Sequence, residues 1–231
     1  MPTELEELKE FTSRVPRLAF KTVFDVGANI GQSVRLFRSL WPGADIYAFE
    51  PVQSSFQRLQ SAVAAHANVK CYQIALGDQP MRASMQSQSL GKANRILSGA
   101  NDTSGPVEEV EVETGARFCA SHGIHSIDYL KIDAEGFDLK ACQGFEPMLK
   151  EQQIGAIQIE VGMQLTDPVH LPLHAFLSYL HPLGYRLYKI HNQHVQSHRP
   201  VSRRGNAVFV SLRQIKVNTI TEAAPEQISE S

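Results

Sequence analysis

Two carboxylates that follow a strand-like apolar run are the side chains of this sequence best suited to proton transfer. Asp133 and Glu135 come directly after the run 127–132, and Lys131 lies two residues before Asp133. A carboxylate held beside a reacting hydroxyl group works as a general base and typically adds about 10²–10⁴-fold to a rate. Two close carboxylates also raise one another's pKa, which suits a base. We expect Asp133 to be the catalytic base or an acceptor anchor, with Lys131 and Glu135 completing the catalytic group.

A structural role is the alternative for each of these residues. Lys131 and Asp133 would then form an ion pair that supports the loop, and Glu135 would cap the following helix. Glu135 is also suited to positioning the substrate or to helping bind a divalent cation. Glu160, in the next apolar run, is expected at the same sheet edge, where it either binds the acceptor or pairs with Lys131.

The C-terminal third of the chain is rich in histidines, and two of them have the spacing of metal ligands. His170 and His174 are four residues apart, so one face of a helix would carry both. Because the sequence has no HExxH motif and no cysteine partner for them, we expect no metal site. The polar, basic segment 191–204 is interpreted either as a contact for an anionic substrate or as a surface loop.

A turn with two glycines is the second candidate site, and it lies between a strand-like and a helix-like segment. Its residues, Asp25-Val-Gly-Ala-Asn-Ile-Gly31, fit an acid-x-G-x-x-x-G spacing, whereas NAD and FAD sites usually have G-x-G-x-x-G. Glycines let the backbone turn tightly and approach a ligand, and Asn29 tolerates a positive φ better than most residues. A carboxylate at Asp25 would attract an ammonium group, directly or through water, and repel a pyrophosphate. This charge favours S-adenosylmethionine over NAD.

A carboxylate at the end of the second predicted strand is placed to bind a ribose. Glu50 follows Gly31 by about twenty residues, a spacing at which an acid accepts both hydroxyl protons of a ribose. The alternative is an acid that stabilises the N-terminus of the next helix. Because a glycine turn precedes Glu50 at the spacing expected of a nucleotide site, we favour ribose binding as the role of Glu50.

The elements that must position these residues follow an alternating strand and helix pattern. Strands are predicted at 21–26, 45–50, 69–75, 127–132, 156–161, 185–190 and 207–212, and helices at 4–11, 32–40, 52–65, 114–122, 137–150 and 170–181. This order demands a parallel sheet with right-handed crossovers. We divide the chain into a helical lead-in (1–20), one domain (21–213) with a hairpin-like excursion or cap at 79–113, and a disordered tail (214–231).

The overall composition excludes several classes of protein. The chain has 231 residues, a net charge of −2 and a pI near 6.5, so nothing favours a nucleic-acid partner. Its three cysteines are far apart, its N-terminus does not resemble a secretory signal, and no apolar run approaches the roughly 20 residues of a membrane span. We expect a cytoplasmic protein without a membrane span, and a homo-oligomer is compatible with these numbers.

Four motifs, taken in order, resemble one known family. VFDVGANIGQS, YAFEP, ALGD and DYLKIDAEGFDLKACQG are similar to the FkbM family of S-adenosylmethionine-dependent methyltransferases, over roughly residues 20–162. The resemblance implies an α/β, Rossmann-like class I methyltransferase fold, with helices on both faces of a seven-stranded, mostly parallel sheet that has one antiparallel strand. It also implies O-methylation of a sugar, a glycan precursor or a secondary metabolite.

The resemblance further implies a role for each motif residue. Asp25, Gly27, Ala28, Asn29 and Gly31 would hold the methionine end of the cofactor, Glu50 with the adjacent Pro51 would bind the ribose, and Leu76 and Asp78 would contact the adenine. Two alternative functions stay open: a nucleotide-dependent oxidoreductase on a Rossmann-like fold, and a cofactor-binding regulator without turnover.

Overall fold

The computed structural model describes residues 3–15, 17–86, 95–96, 107–164, 170–195 and 202–214. These residues form seven helices and eleven strands. The helices are α1 (Glu4–Arg14), α2 (Gln32–Leu40), α3 (Gln53–Val63), α4 (Gly115–Ser121), α5 (Asp138–Gln143), α6 (Glu146–Lys150) and α7 (Leu173–Leu180). The strands are β1 (Thr22–Val26), β2 (Asp45–Phe49), β3 (Val69–Tyr72), β4 (Ala75–Leu76), β5 (Met81–Gln86), β6 (Arg95–Ile96), β7 (Val107–Glu113), β8 (Ile127–Ile132), β9 (Ile154–Gly162), β10 (Tyr185–Val195) and β11 (Ser202–Ser211).

The larger sheet has seven strands in the order β10-β11-β9-β8-β1-β2-β3. Its strands run parallel to one another except β11, which is antiparallel to both of its neighbours. The predicted Rossmann-like class I methyltransferase sheet is therefore confirmed. Since β1 lies between β2 and β8, the carboxyl ends of these three strands meet at one edge, which is where open α/β sheets bind their ligands.

Helices cover both faces of this sheet, because consecutive side chains of a strand point to opposite sides. Phe24 and Leu130 belong to the core that α4, α5, α6 and α7 close. Val23 and Tyr129, the residues that precede them, belong to the opposite core, which α1, α2 and α3 close. Burial on both faces explains why these strands read as continuous apolar runs.

The smaller sheet has the order β4-β7-β5-β6 and comes from the predicted excursion. Its alternating segments are β5 and β7, which pair antiparallel with Met81 opposite Val112. The third predicted strand, 69–75, is corrected: β3 ends at Tyr72, and Ala75–Leu76 pairs with β7. The pairing of β2 with β3 ends at Phe49 and Tyr72, and the Glu50 N–H donates a last hydrogen bond to the carbonyl oxygen of Tyr72 at 3.1 Å.

Several boundaries in the C-terminal half differ from the prediction. The helix predicted at 170–181 begins at Leu173, so His170 precedes it. The helix predicted at 137–150 is divided into α5 and α6 near Gly144, as its interruption indicated. The segment 191–204, predicted as a loop, extends β10 and β11 as a hairpin, with residues 196–201 outside the described part. Most of 91–105 and the predicted tail after Gln214 also lie outside the described residues. Within the described ranges, no helix combines the length and apolar character needed to cross a bilayer.

Candidate active site

The glycine turn is pressed against the end of the neighbouring strand. The backbone N–H groups of Gly27 and Ala28 both donate to the carbonyl oxygen of Phe49, at 3.0 and 2.9 Å. Gly27 has a φ of +81°, and a Cβ atom at this position would lie 1.9 Å from the carbonyl oxygen of Asp133. Only glycine fits this close approach, which joins the ends of β1, β2 and β8 into one site.

The rest of the turn has the left-handed backbone that the sequence predicted. Asn29 has a φ of +49°, a conformation in which asparagine is enriched among non-glycine residues. Gly31 has a φ of +87° and is the N-cap of α2. Because the turn ends in a helix N-terminus, the first N–H groups of α2 point toward the space that a ligand would enter.

Glu50 is nearly buried and its carboxylate is held by the backbone. Its Oε2 atom accepts a hydrogen bond from the Asn29 N–H and its Oε1 atom accepts one from the Val52 N–H, both at 2.9 Å. Burial raises the pKa of Glu50 to about 7, although both backbone hydrogen bonds act in the opposite direction. Each carboxylate oxygen has a second acceptor position, so this geometry leaves two positions for the hydroxyl groups of a diol.

Lys131 links two carboxylates beneath the site. Its Nζ atom lies 3.0 Å from Asp133 Oδ2 and 3.5 Å from Asp25 Oδ1. Strand register explains the contact with Asp25, because the two residues are paired on neighbouring parallel strands. Burial alone would lower the pKa of Lys131, but the charges of Asp133 and Asp25 outweigh it and raise this pKa above its usual value. Lys131 therefore remains a cation.

Asp25 lies behind the cavity wall and is fully buried. Burial raises its pKa to about 6, opposed mainly by the charge of Lys131. The carboxylate does not line the cavity, and its ionic contact is with Lys131. Direct contact with a ligand ammonium group, which the sequence suggested, would need a shift of the wall in front of it.

The loop after β8 carries Asp133 and Glu135, and the backbone of Glu135 is left-handed. Glu135 and Gly136 have φ values of +48° and +95°. Asp138 fixes this loop, because its Oδ1 atom accepts from the Ala134 N–H at 2.8 Å and its Oδ2 atom from the Gly136 N–H at 2.9 Å. The predicted alternative of Glu135 as the cap of α5 is wrong, since the N-terminus of α5 has no side-chain cap.

Asp138 is a residue of the site that the sequence reasoning missed. It is 2% exposed, and burial, as the main cause, raises its pKa to about 6. Burial also raises the pKa of Glu135 to about 7, with the charges of Asp133 and Asp138 adding to the effect. The sequence did contain a signal for Asp138, because it is an acid in the first turn of α5 and this helix directly follows the loop.

A cavity of about 380 Å³ opens at this sheet edge, within the usual range for ligand pockets of about 300–1,000 Å³. Nine of the predicted residues line it: Gly27, Ala28, Asn29, Glu50, Pro51, Leu76, Lys131, Asp133 and Glu135. Four predicted residues do not: Asp25, Gly31, Asp78 and Glu160. Asp78 is exposed in the turn after β4, and Gly31 supports the turn from behind, where a Cβ atom would lie 3.0 Å from Leu59.

The remaining lining residues come from the ends of the same elements and from the smaller sheet. They are Val26, Gln32, Ser33, Phe49, Ile74, Ala75, Met85, Ala134 and Phe137. Gln32 and Ser33 were recognisable as the first helical residues after the turn. Met85 carried no signal, because only the packing of the smaller sheet brings β5 to the cavity.

A family model described as the methyltransferase FkbM domain matches residues 25–187, which contain every lining residue of the cavity. The chain belongs to this family. Among curated proteins, the 2-O-methyltransferase NoeI of Sinorhizobium fredii is 24% identical over 173 residues, covering 68% of this chain and 70% of NoeI. The resemblance expected from the four sequence motifs is confirmed, and the FkbM protein is an S-adenosylmethionine-dependent methyltransferase.

Two solved structures show the fold of this FkbM protein independently. An rRNA methylase from Streptococcus thermophilus matches with a TM-score of 0.52 at 11% identity, covering 92% of this chain and 98% of the methylase. The magnesium protoporphyrin IX methyltransferase ChlM from Synechocystis PCC 6803, solved with bound S-adenosylmethionine, also has a TM-score of 0.52 at 11% identity, covering 90% of this chain and 77% of ChlM. At this identity the two structures support the architecture alone.

The charges of the FkbM cavity fit its methyl donor. Glu50, Asp133 and Glu135 line the cavity, and Lys131 is the single cationic side chain among the described lining residues. Two carboxylates already bind this lysine. A lining with this surplus of negative charge suits a sulfonium and an ammonium group, and it would repel a pyrophosphate.

Glu160 lies beside the cavity and has partners that the sequence did not predict. Of the two alternatives for Glu160, pairing with Lys131 is wrong: Glu160 Oε1 lies 3.3 Å from Arg204 Nε, and Glu160 Oε2 lies 3.4 Å from His170 Nε2. Burial is the main cause that raises the pKa of Glu160 to about 7, and the negative charge of Asp133 is the second. Register explains the difference, because Lys131 is opposite Gln158 and the strand carries Glu160 two residues beyond it.

Proposed function

We propose that this FkbM methyltransferase methylates a hydroxyl oxygen of a sugar, a glycan precursor or a secondary metabolite. The observation that carries the proposal is the position of Asp133 and Glu135, two carboxylates that line the donor cavity on a loop fixed by Asp138. A hydroxyl acceptor must lose its proton during transfer, and a carboxylate beside it can take that proton. The name of the relative NoeI, a 2-O-methyltransferase, supports an oxygen acceptor.

The contacts in the structure support a role for each of the proposed cofactor-binding residues. The two free acceptor positions of Glu50 bind the ribose hydroxyl groups, with Pro51 closing the wall beside them. The turn of Gly27, Ala28 and Asn29 receives the methionine end, and Leu76 packs against the adenine. When bound, S-adenosylmethionine supplies a methyl group on a sulfonium, which makes that carbon electrophilic.

The acceptor side of the reaction belongs to the residues that follow β8. Asp133 orients the acceptor hydroxyl and takes its proton as the carbon–oxygen bond forms and the carbon–sulfur bond breaks. Lys131, whose Nζ atom lies 3.0 Å from Asp133 Oδ2, holds this carboxylate in position. Glu135 accepts a hydrogen bond from a neighbouring acceptor hydroxyl group. Alignment of the acceptor with the methyl group is expected to contribute more to the rate than proton removal.

A direct test uses donor carrying a ¹³C-labelled methyl group and a panel of candidate acceptors. Free sugars, sugar nucleotides, hydroxylated aromatic compounds and matched amines are incubated with the full chain, and products are identified by NMR. A labelled O-methyl group on a polyhydroxylated compound is the expected product. Transfer to nitrogen or carbon alone would reject the proposal while leaving the methyltransferase assignment intact.

The oxidoreductase alternative is disfavoured by the charge of the cavity. A dinucleotide would place its pyrophosphate at the glycine turn and the N-terminus of α2. The carboxylates of Asp133 and Glu135 line the same cavity, and the one lysine among the described lining residues is already paired. Thermal-shift measurements with S-adenosylmethionine, S-adenosylhomocysteine and NAD distinguish the two functions. Turnover with any acceptor distinguishes an enzyme from a cofactor-binding regulator.

A further inference from the structure

Three side chains with metal-ligand chemistry converge beside the acceptor end of the cavity. Glu135 comes from the loop after β8, Glu160 from the end of β9, and His170 from the segment that precedes α7. One ligand atom from each residue lies within 4.8 Å of the other two. The geometry points to a binding site for a divalent first-row transition-metal ion, held by Glu135, Glu160 and His170.

The distances between these atoms match what such an ion requires. His170 Nε2 lies 3.4 Å from Glu160 Oε2. With metal–ligand bonds of about 2.1 Å, neighbouring ligand atoms are about 3.0 Å apart in an octahedral site and about 3.4 Å apart in a tetrahedral one. Two of the three ligand atoms are therefore already at a suitable separation, and Glu135 can complete the set by a side-chain rotation.

The three residues are held in different ways that suit ligation. The His170 side chain is 5% exposed, so its ring is fixed by packing and loses little further freedom on binding. Arg204 holds Glu160 through its Nε and Nη1 atoms, at 3.3 and 3.4 Å. Ligating carboxylates are commonly oriented by such outer partners.

The local charge balance supports a cation. Electrostatic repulsion acts among the carboxylates of Asp133, Glu135, Asp138 and Glu160. Among the described residues, their cationic neighbours are Lys131, which Asp25 shares, and Arg204, which contacts Glu160. A bound divalent ion would offset the remaining negative charge.

The donor set also indicates which ion would bind. Imidazole nitrogen favours zinc, iron, nickel and copper, whereas carboxylate oxygen suits manganese and magnesium, so a mixed set selects a first-row divalent ion over calcium. Because Glu135 lines the cavity, an ion there would have open positions facing the acceptor. Its use would be to bind an acceptor hydroxyl group and lower the pKa of that group, a role that rests on the proposed function.

The test measures binding of Mn²⁺ alone to the full chain after chelation, without donor or acceptor. Electron paramagnetic resonance of free Mn²⁺ and calorimetry with Zn²⁺ are the two readouts. We expect one ion per chain, with affinity reduced at least about tenfold by Glu160→Gln, by His170→Ala and by Glu135→Gln. His174→Ala and Glu151→Gln, which change exposed residues of the same types, are expected to bind like the native chain.

Folding of the three variants is checked by thermal unfolding. Glu160→Gln and His170→Ala, whose side chains do not line the donor cavity, should also leave the affinity for S-adenosylmethionine within about twofold. If His170→Ala does not fold, the metal affinity of Glu135→Gln, a substitution in the loop after β8, still tests the site. The inference is overturned if the native chain binds neither ion, or if all three variants bind as it does; the carboxylates would then contact the acceptor without metal. Because no acceptor is present, this result is independent of the methylation test: transfer to nitrogen would reject O-methylation and leave a metal site standing.

Discussion

Gly27 and Asp133 approach so closely that a Cβ atom on Gly27 would lie 1.9 Å from the carbonyl oxygen of Asp133. The turn proposed to receive the methyl donor and the loop that carries the proposed base are therefore one packed unit. Asp133 N–H also donates to the carbonyl oxygen of Val26 at 3.0 Å, which continues the ladder between β1 and β8 up to this contact. A substitution in the glycine turn should therefore also change the loop after β8, and a substitution in that loop should change the turn.

Gly27→Ala is expected to damage both donor binding and stability. The added methyl group meets backbone, which cannot rotate away, and the φ of +81° is unfavourable for alanine. We expect the unfolding free energy, measured by denaturant titration, to fall by about 1–3 kcal/mol. Calorimetry should show a clear loss of affinity for S-adenosylmethionine. Gly43→Ala is the matched control, because a Cβ atom there has nothing within 4 Å. Equal behaviour of the two variants would contradict the contact.

Glu50→Gln is expected to weaken S-adenosylmethionine binding by about 10–100-fold, the range expected when a hydrogen bond to a charged group is lost. A glutamine has one oxygen, so it cannot accept from Asn29 and Val52 and also receive two ribose hydroxyl groups. Glu50→Ala should weaken binding further. Calorimetry measures the change, and circular dichroism checks the fold. An affinity close to that of the native chain would remove Glu50 from the donor site.

The pH dependence of Glu50 should act on binding and on stability with opposite signs. Its folded pKa of about 7 is above the reference value of 4.5, so the folded chain holds the extra proton between these values. Acidification through pH 7 protonates the carboxylate and should lower donor affinity, by up to about tenfold between pH 7 and pH 6. The same proton uptake stabilises the folded state, so the contribution of Glu50 to stability is lost as pH rises toward 7.

Glu50→Gln is the control for the pH dependence of donor affinity and for the pH dependence of stability. Its donor affinity and its unfolding free energy should vary less with pH from 6.5 to 8 than those of the native chain. His191, whose pKa burial lowers to about 4, changes stability in the opposite direction at lower pH, so the comparison is best kept above pH 6.5. Native and variant slopes that coincide would show that another group governs this range.

Asp133→Asn is expected to lower kcat by about 10²–10⁴-fold and to change donor affinity little. The amide keeps the size of the side chain but cannot take a proton, and it weakens the contact with Lys131. Single-turnover rates with the acceptor found in the labelling experiment measure the effect. Asp45→Asn, at an exposed position of β2, is the matched substitution. If kcat of Asp133→Asn equals that of the native chain, Asp133 is not the base.

Much of the fold and half of the site followed from local patterns. The alternation of apolar runs and helical segments predicted the parallel sheet, since strands buried on both faces must be apolar throughout. The glycine turn and Glu50 were recognisable because their roles depend on backbone conformation and on spacing along the chain. Asn29 is an example: its tolerance for positive φ was read from its type, and its φ is +49°.

The sequence by itself determined which functional feature follows each strand at the ligand-binding edge of the sheet. A glycine turn follows β1, an acid follows β2, and two acids follow β8. The tertiary structure alone decided which of these acids face the cavity and which partners they have. Burial behind Lys131 removed Asp25 from the cavity lining, and packing of distant segments joined Glu160 to His170 and Arg204. Such contacts depend on side-chain direction and on elements far apart in sequence, and spacing along a chain carries no information about either.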